Sequence, residues 1–201
     1  MTQTPKVALG FKTHSGWAAL VVLRGGDGEL SIVDRRRVDL VDNQWAKAPY
    51  HAAEELKPAE ARALVKRGIA QAHRVAEREL RAAVRREEER GNQVAACAVL
   101  VGEPMPEWST DEILAVHFRM HKAEGVLFRE VLVRAAEACG LRLAAIPEKR
   151  LLEDASKSLG APAGALVARI AALGKSVGPP WGKDQKDAAL AAFVALRGRS
   201  R

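Results

Sequence analysis

Apolar positions along the chain switch between a period of two and a period of three to four, and the switches outline its elements. Val7 to Leu9 and Ala18 to Leu23 read as two short strands, with Gly10-Phe11-Lys12-Thr13-His14-Ser15-Gly16 between them. Gly25-Gly26-Asp27-Gly28 is a hairpin signal. It leads into a third strand, Leu30 to Leu40, whose apolar positions are Ile32, Val33, Val38 and Leu40. Three consecutive antiparallel strands are therefore expected over residues 7–41. The pattern lapses from Val41 to Leu56, where Pro49-Tyr50-His51 marks an irregular connection.

Pro58 opens a long helix predicted to run to about Arg90. Its buried stripe is Val65, Ile69, Ala72, Ala76, Leu80 and Ala83. The other faces are densely charged, with ten basic and six acidic residues between Lys57 and Arg90. A solvated face is the simplest account of them, and a phosphate-facing surface is the alternative. After Gly91-Asn92, Val94 to Val101 is continuously apolar, as in a central strand buried on both faces, and Glu103 follows its end. Ser109 with Glu112 three residues on forms a capping-box pattern, predicting one helix from there to about Cys139. Leu141 to Ile146 reads as a further strand closed by Pro147, which makes a strand–helix–strand unit and implies a parallel pair. Leu151 to Ser158 and Ala163 to Leu173 read as helical. Gly178-Pro179-Pro180-Trp181-Gly182 breaks the chain before a last helix running to Leu196, and a basic tail, Arg197 to Arg201, follows. The whole of residues 1–201 is expected to form one domain, and no internal repeat is evident.

Composition adds little to this outline. Hydrophobic residues make up 48% and charged residues 28%, and alanine fills many apolar positions, as close-packed helices require. A net charge of +7 favours polyanionic partners without identifying one. Cys97 and Cys139 each sit in an apolar run without zinc-site spacing, so buried thiols in a reducing compartment are expected. No run reaches the roughly twenty apolar residues of a membrane span. No signal peptide is expected, and the expected location is the cytoplasm.

The last helix carries the most suggestive chemistry. Asp184 and Asp187 share one face of its first turn, where carboxylates are favoured by unpaired N–H groups and the helix dipole. Taken alone they are an N-cap aspartate with an acidic neighbour, or a pair of metal ligands on a core helix. His117 and His121, four apart, with Glu124 three further on, have a spacing that can bind zinc. The glutamate that would follow the first histidine in a zinc protease is missing, which favours helix histidines that are exposed or hydrogen-bonded. His14 and Ser15 read first as turn residues. Trp17, Trp45, Trp108 and Trp181 read as anchors of loops to the core. No Walker motif, dinucleotide fingerprint or nucleophile elbow is present.

The order of elements, three antiparallel strands, a helix, a central strand, a helix, a strand and a closing acidic helix, resembles the ribonuclease H-like fold. That is an α/β fold with a mixed five-stranded sheet flanked by helices. Residues 141–196 resemble the C-terminal part of RuvC-like resolvases. A strand ending in proline leads into a lysine-bearing helical region (Lys157, then Val167 to Leu173), then a Pro179-Pro180 break, then a helix of pattern Asp-x-x-Asp-Ala-x-Ala. Asp184, Asp187, Ala188 and Ala189 stand in or beside that pattern, and Leu190 takes its last alanine place. Gly16-Trp17 is similar to the family's opening turn.

The resemblance implies carboxylates converging from the first strand, the fourth strand and the last helix to bind divalent metal. Glu103 takes the central-strand place and Asp184 with Asp187 the helix place. Mg²⁺ or Mn²⁺ there would activate water for phosphodiester hydrolysis. His14 and Lys157 are candidates for phosphate contact, DNA or RNA is the implied partner, and a homodimer is a candidate assembly. The first strand departs from the pattern: where the family carries Asp, this chain has Lys12. A protonated lysine cannot ligate metal, but it can pair with Asp184 or Glu103. Two functions follow: a RuvC-related nucleic-acid-binding protein with an altered acidic metal site, which if active would be a metal-dependent nuclease, or a catalytically inactive interaction module, without cofactor, in which Lys12 neutralises the acidic cluster. The sugar-kinase and actin group shares the strand–turn–strand opening, with Thr13 to Gly16 as a phosphate turn, but its two-lobed form needs a longer chain.

Overall fold

The computed structural model describes residues 4–26 and 29–198. Asp27 and Gly28 of the expected hairpin turn, and residues 199–201 of the basic tail, lie outside the described residues. Among those described, five strands form one sheet in the order β3-β2-β1-β4-β5. They are β1 (Lys6–His14), β2 (Trp17–Gly26), β3 (Glu29–Asp39), β4 (Gln93–Val101) and β5 (Leu143–Pro147). The first three pair antiparallel, and β4 and β5 run parallel to β1. This topology, with helices on both faces, matches the mixed five-stranded α/β arrangement expected from the element order.

β1 is longer than its apolar run. Lys12, Thr13 and His14 continue the ladder against Ala19, Ala18 and Trp17, and only Ser15-Gly16 make the turn, with Gly16 at φ 77°. These polar residues are held in the strand by pairing with β2 alone, because the ladder to β4 ends at Phe11 opposite Val99. Lys12 is accordingly a strand residue, 8% exposed.

Strand alternation divides the core into two layers. Val7, Leu9, Phe11, Leu20, Val22, Cys97 and Val99 face the long helix α1 (Pro58–Glu89) and α3 (His117–Ala138). Ala8, Val21, Leu23, Ala96, Ala98 and Leu100 face α4 (Leu151–Leu159), α5 (Ala163–Val177) and α6 (Lys183–Arg197). Both cysteines are free; Cys97 is buried, which pushes its thiol pKa up, while Cys139 is only half-buried at the end of α3.

The helix expected over 109–139 is two helices. Ser109 caps a short α2 (Thr110–Leu114) with the reciprocal Ser109–Glu112 capping box, and Val116, extended at φ −140° and ψ 112°, separates it from α3. The apolar pattern hides this break because Ile113 and Met120, seven apart, are both buried in the same cluster beneath the 50–53 segment. The irregular connection 42–57 contains two short 3₁₀ turns, Gln44–Lys47 and His51–Ala53.

Two of the tryptophans anchor segments as expected, whereas Trp17 is the first residue of β2. Trp181 donates from Nε1 to Ile170 O at 3.1 Å and packs on Gly174, and Trp45 packs on Gly68 of α1. Trp17 carries the His14 ring stacked at 4.3 Å and the Arg37 guanidinium at 4.2 Å. Trp108 sits under Arg119 at 4.7 Å.

At Gly10 the backbone of α6 lies directly against the sheet. A Cβ there would lie 2.0 Å from the backbone oxygen of Ala188 on α6 and 3.0 Å from Ala192 Cβ. Backbone cannot yield as a side chain does, so Gly10→Ala is expected to cost about 3 kcal/mol in urea unfolding. Gly125→Ala, inside α3 with open space around it, should instead stabilise by about 0.5–1 kcal/mol.

Candidate functional site

The carboxyl ends of β4 and β5 and the end of β1 share one edge of the sheet, and α6 begins beside it. Glu148 arrives there because it follows Pro147, the last residue of β5, which registers with Val101 of β4. On the far side of β4, Lys12 projects from the face that Gly10 leaves open to α6. Its ammonium meets Glu148 Oε1 in a close ion pair, with side chains 10% and 28% exposed. Arg129 of α3 reaches the other oxygen at 3.4 Å, and its guanidinium lies over Gly102, where a Cβ would meet it at 2.3 Å. Burial raises the Glu148 carboxyl pKa, but the Lys12 hydrogen bond and charge, helped by Arg129 and Lys183, outweigh it and hold the group below the ordinary glutamate range.

The other carboxylates of this edge are also engaged by cations or by histidine. Asp184, the second residue of α6, lies 2.9 Å from His14 Nε2. The helix is capped by Gly182, to whose N–H Gln185 Oε1 reaches back at 2.9 Å, so Asp184 is not the cap. Asp187 accepts a close hydrogen bond from Lys183 one turn earlier, and this bond raises the lysine pKa. Glu103 stands two residues beyond β4, 71% exposed, and accepts from Lys149 Nζ at 2.7 Å. That hydrogen bond lowers the Glu103 pKa and raises that of Lys149.

Lys12 pairs with neither Asp184 nor Glu103, the partners expected of it, but with Glu148. Sequence reasoning passed over Glu148. The available signal was an acid directly after the proline that closes a parallel strand next to the Glu103 strand. Lys157, a candidate phosphate contact, lies exposed on α4 and pairs with Glu153 one turn earlier at 2.5 Å. His14 is stacked on Trp17 and bonded to Asp184.

A hard divalent cation needs several oxygen ligands at about 2.0–2.6 Å. Glu103, Asp184 and Asp187 do not form a converging set here. Among the described residues, the one group of three or more His, Cys, Asp or Glu side chains with ligand atoms within 4.8 Å of one another is His51, His117 and His121. An ion at the aspartates would have to displace His14 and Lys183 from them, and one at Glu148 would have to displace the Lys12 ammonium. As arranged, these residues do not fit Mg²⁺ or Mn²⁺.

Beside Glu148 a groove of about 700 Å³ runs between the ends of β4 and β5 and α3. Lys122, Arg129, Lys149 and Arg150 line it against two acids, Glu103 and Glu148. No helix of the described residues is long and apolar enough to cross a membrane.

No protein-family model and no curated protein matches this sequence. Among solved structures, the chain is similar to Thermus thermophilus RuvC, at 13% identity and a TM-score of 0.48, over 94% of this chain and 92% of that one. It is likewise similar to T. thermophilus RuvC in complex with a Holliday junction substrate, at 12% identity and 0.48, over 94% and 91%.

Removing the ammonium while keeping its apolar stem, as in Lys12→Met, leaves the half-buried Glu148 with only the weaker attraction of Arg129 and Lys183. The expected loss is about 1–3 kcal/mol in denaturant unfolding. Because the native Glu148 pKa is depressed, the stability it contributes is present above the ordinary value of 4.5 and lost as pH falls through the lower native value. Glu148→Gln should therefore flatten that part of the acid limb of a stability–pH curve, and an unchanged limb would contradict the pairing.

Proposed function

We propose that this chain is a nucleic-acid-binding protein whose ribonuclease H-like acidic edge is compensated from within, so that it binds nucleic acid rather than cutting it. The observation that carries this reading is Lys12. A buried ammonium occupies the central strand where the fold family's resemblance implies a metal-bridging carboxylate, and Glu148 answers it. The remaining edge acids, Glu103, Asp184 and Asp187, face Lys149, His14 and Lys183. Internal cations of this kind do electrostatically what a divalent ion would do, and they hold the edge together without one.

Polyanion binding is supported by charge and shape. The chain carries +7, and the groove beside Glu148 holds four basic side chains against two acidic ones. Lysine and arginine there would neutralise phosphates and release counterions, giving affinity that depends on backbone charge and falls steeply with salt. Lys149 and Arg150 belong to the turn after β5, so they would touch the backbone close to the Lys12–Glu148 pair.

Fluorescence anisotropy with labelled branched and single-stranded DNA, run beside a cleavage assay in Mg²⁺ and Mn²⁺, tests the proposal. The expected result is binding at low salt that does not require a divalent ion, without cleavage above background. Lys149→Ala with Arg150→Ala should weaken binding and lower the log–log salt slope by about 0.9 for each phosphate no longer neutralised. No binding at low salt removes nucleic acid as the partner. Metal-dependent cleavage abolished by Asp184→Asn or Asp187→Asn would replace this reading with a nuclease using Glu103, Asp184 and Asp187.

A further inference from the structure

A second constellation lies where the 42–57 connection meets the start of α3. His51 belongs to the 3₁₀ turn after Tyr50, and His117 and His121 occupy one face of the first turns of α3. The three rings gather closely, with centroids 5.0 Å apart for His51 and His117, 4.4 Å for His51 and His121, and 4.7 Å for His117 and His121. One nitrogen from each lies within 4.8 Å of the others.

The hydrogen bonds around His51 orient its free lone pair toward the other two rings. Glu124, buried at 5% exposed, accepts from the backbone N–H groups of Tyr50 and His51 at 3.1 Å each and lies 2.8 Å from His51 Nδ1. With a carboxylate at Nδ1, the ring proton sits there and Nε2 keeps its lone pair. That Nε2 is buried and has no hydrogen-bond partner. A buried polar atom without a partner is costly, and it calls for an occupant. At His117 the carboxylate stands farther off, with Nδ1 3.5 Å from Glu54 Oε1, and Nε2 lies 3.1 Å from Nε2 of His121. Two imidazole Nε2 atoms facing each other at that distance either share one proton or share a cation. Tetrahedral zinc with Zn–N near 2.0–2.1 Å places its nitrogen ligands about 3.3 Å apart.

We propose that His51, His117 and His121 form a three-histidine site for a divalent transition metal of the zinc class, with Glu124 and Glu54 as positioning residues behind His51 and His117. Imidazole nitrogen selects zinc, cobalt, nickel and copper over magnesium and calcium, which separates this site from the oxygen chemistry of the sheet edge. Carboxylates on the far nitrogens are the usual means of fixing ligand tautomer and raising ligand basicity. Three protein ligands leave a fourth position, on the side where His117 is 63% exposed. Bound metal would tie the 3₁₀ turn at residues 51–53 to α3, closing a small core of Tyr50, Ala53, Ile113 and Met120. The break at Val116 makes the site possible, because it begins α3 at His117 rather than carrying α2 through.

The test is calorimetry of the full chain, stripped with chelator and dialysed at neutral pH, titrated with Zn²⁺. Visible absorption with Co²⁺ reports the geometry. One equivalent is expected to bind, with a tetrahedral Co²⁺ spectrum and a raised unfolding temperature in zinc. His121→Gln and His51→Gln should each weaken zinc by at least about tenfold, and Glu124→Gln by about 10- to 100-fold. Circular dichroism of the exposed His121→Gln variant keeps the result separate from a folding defect. Absence of saturable zinc binding overturns the proposal. So does binding that His51→Gln leaves unchanged, which would reduce the site to the His117–His121 pair on one helix.

Discussion

The close crossing of α6 over β1 is the constraint from which the acidic edge follows. Gly10 has no room for a Cβ against Ala188, and the facing stripe of α6, Ala188, Ala189, Ala191, Ala192 and Ala195, is fully buried. Small side chains on both partners bring helix and strand backbones close enough to pack without a gap. That packing fixes the register of α6 along β1. Two residues along the same strand face, Lys12 reaches the edge, and two further on, His14 meets Asp184. A larger residue at position 10 would lift α6 from the sheet, carrying both aspartates with it.

With the backbone fixed in this way, charge decides what the edge can do. Four carboxylates, Glu103, Glu148, Asp184 and Asp187, would repel one another and recruit a divalent ion if left alone. Here Lys12, Arg129, Lys149 and Lys183, with His14, take that role. Lys12 matters most because it is the least exposed: its pairing is shielded from solvent and salt, whereas Glu103–Lys149 is a surface pair of small energetic weight. Arg129 and Lys149 also line the adjoining groove, where they face Glu148 and Glu103, and Lys122 and Arg150 supply its positive excess.

Much of the fold was legible in the periodicity. The buried run Val94–Val101, the long helix from Pro58 and the closing helix with its aspartates all stand where the pattern put them, because each buries a full stripe or strand face. The site was legible only in part. Lys12 stood out by its charge, but its partner did not: Glu148 is distant in sequence, and parallel register alone brings it to β1 through β4. The same limit hid His51, whose place beside His117 and His121 depends on how an irregular connection folds back onto α3. The α2–α3 break was masked because burial at Ile113 and Met120 satisfies a continuous helical pattern across an extended residue. Local pattern reports what is buried, whereas these pairings are set by tertiary packing.

The central claim, that internal cations take the place of a divalent ion at the acidic edge, is tested most directly by titrating the full chain with Mn²⁺ and following paramagnetic relaxation of water. No saturable binding that responds to Asp184→Asn or Asp187→Asn is expected. Saturable Mn²⁺ binding that either aspartate variant abolishes and His121→Gln leaves intact would contradict it.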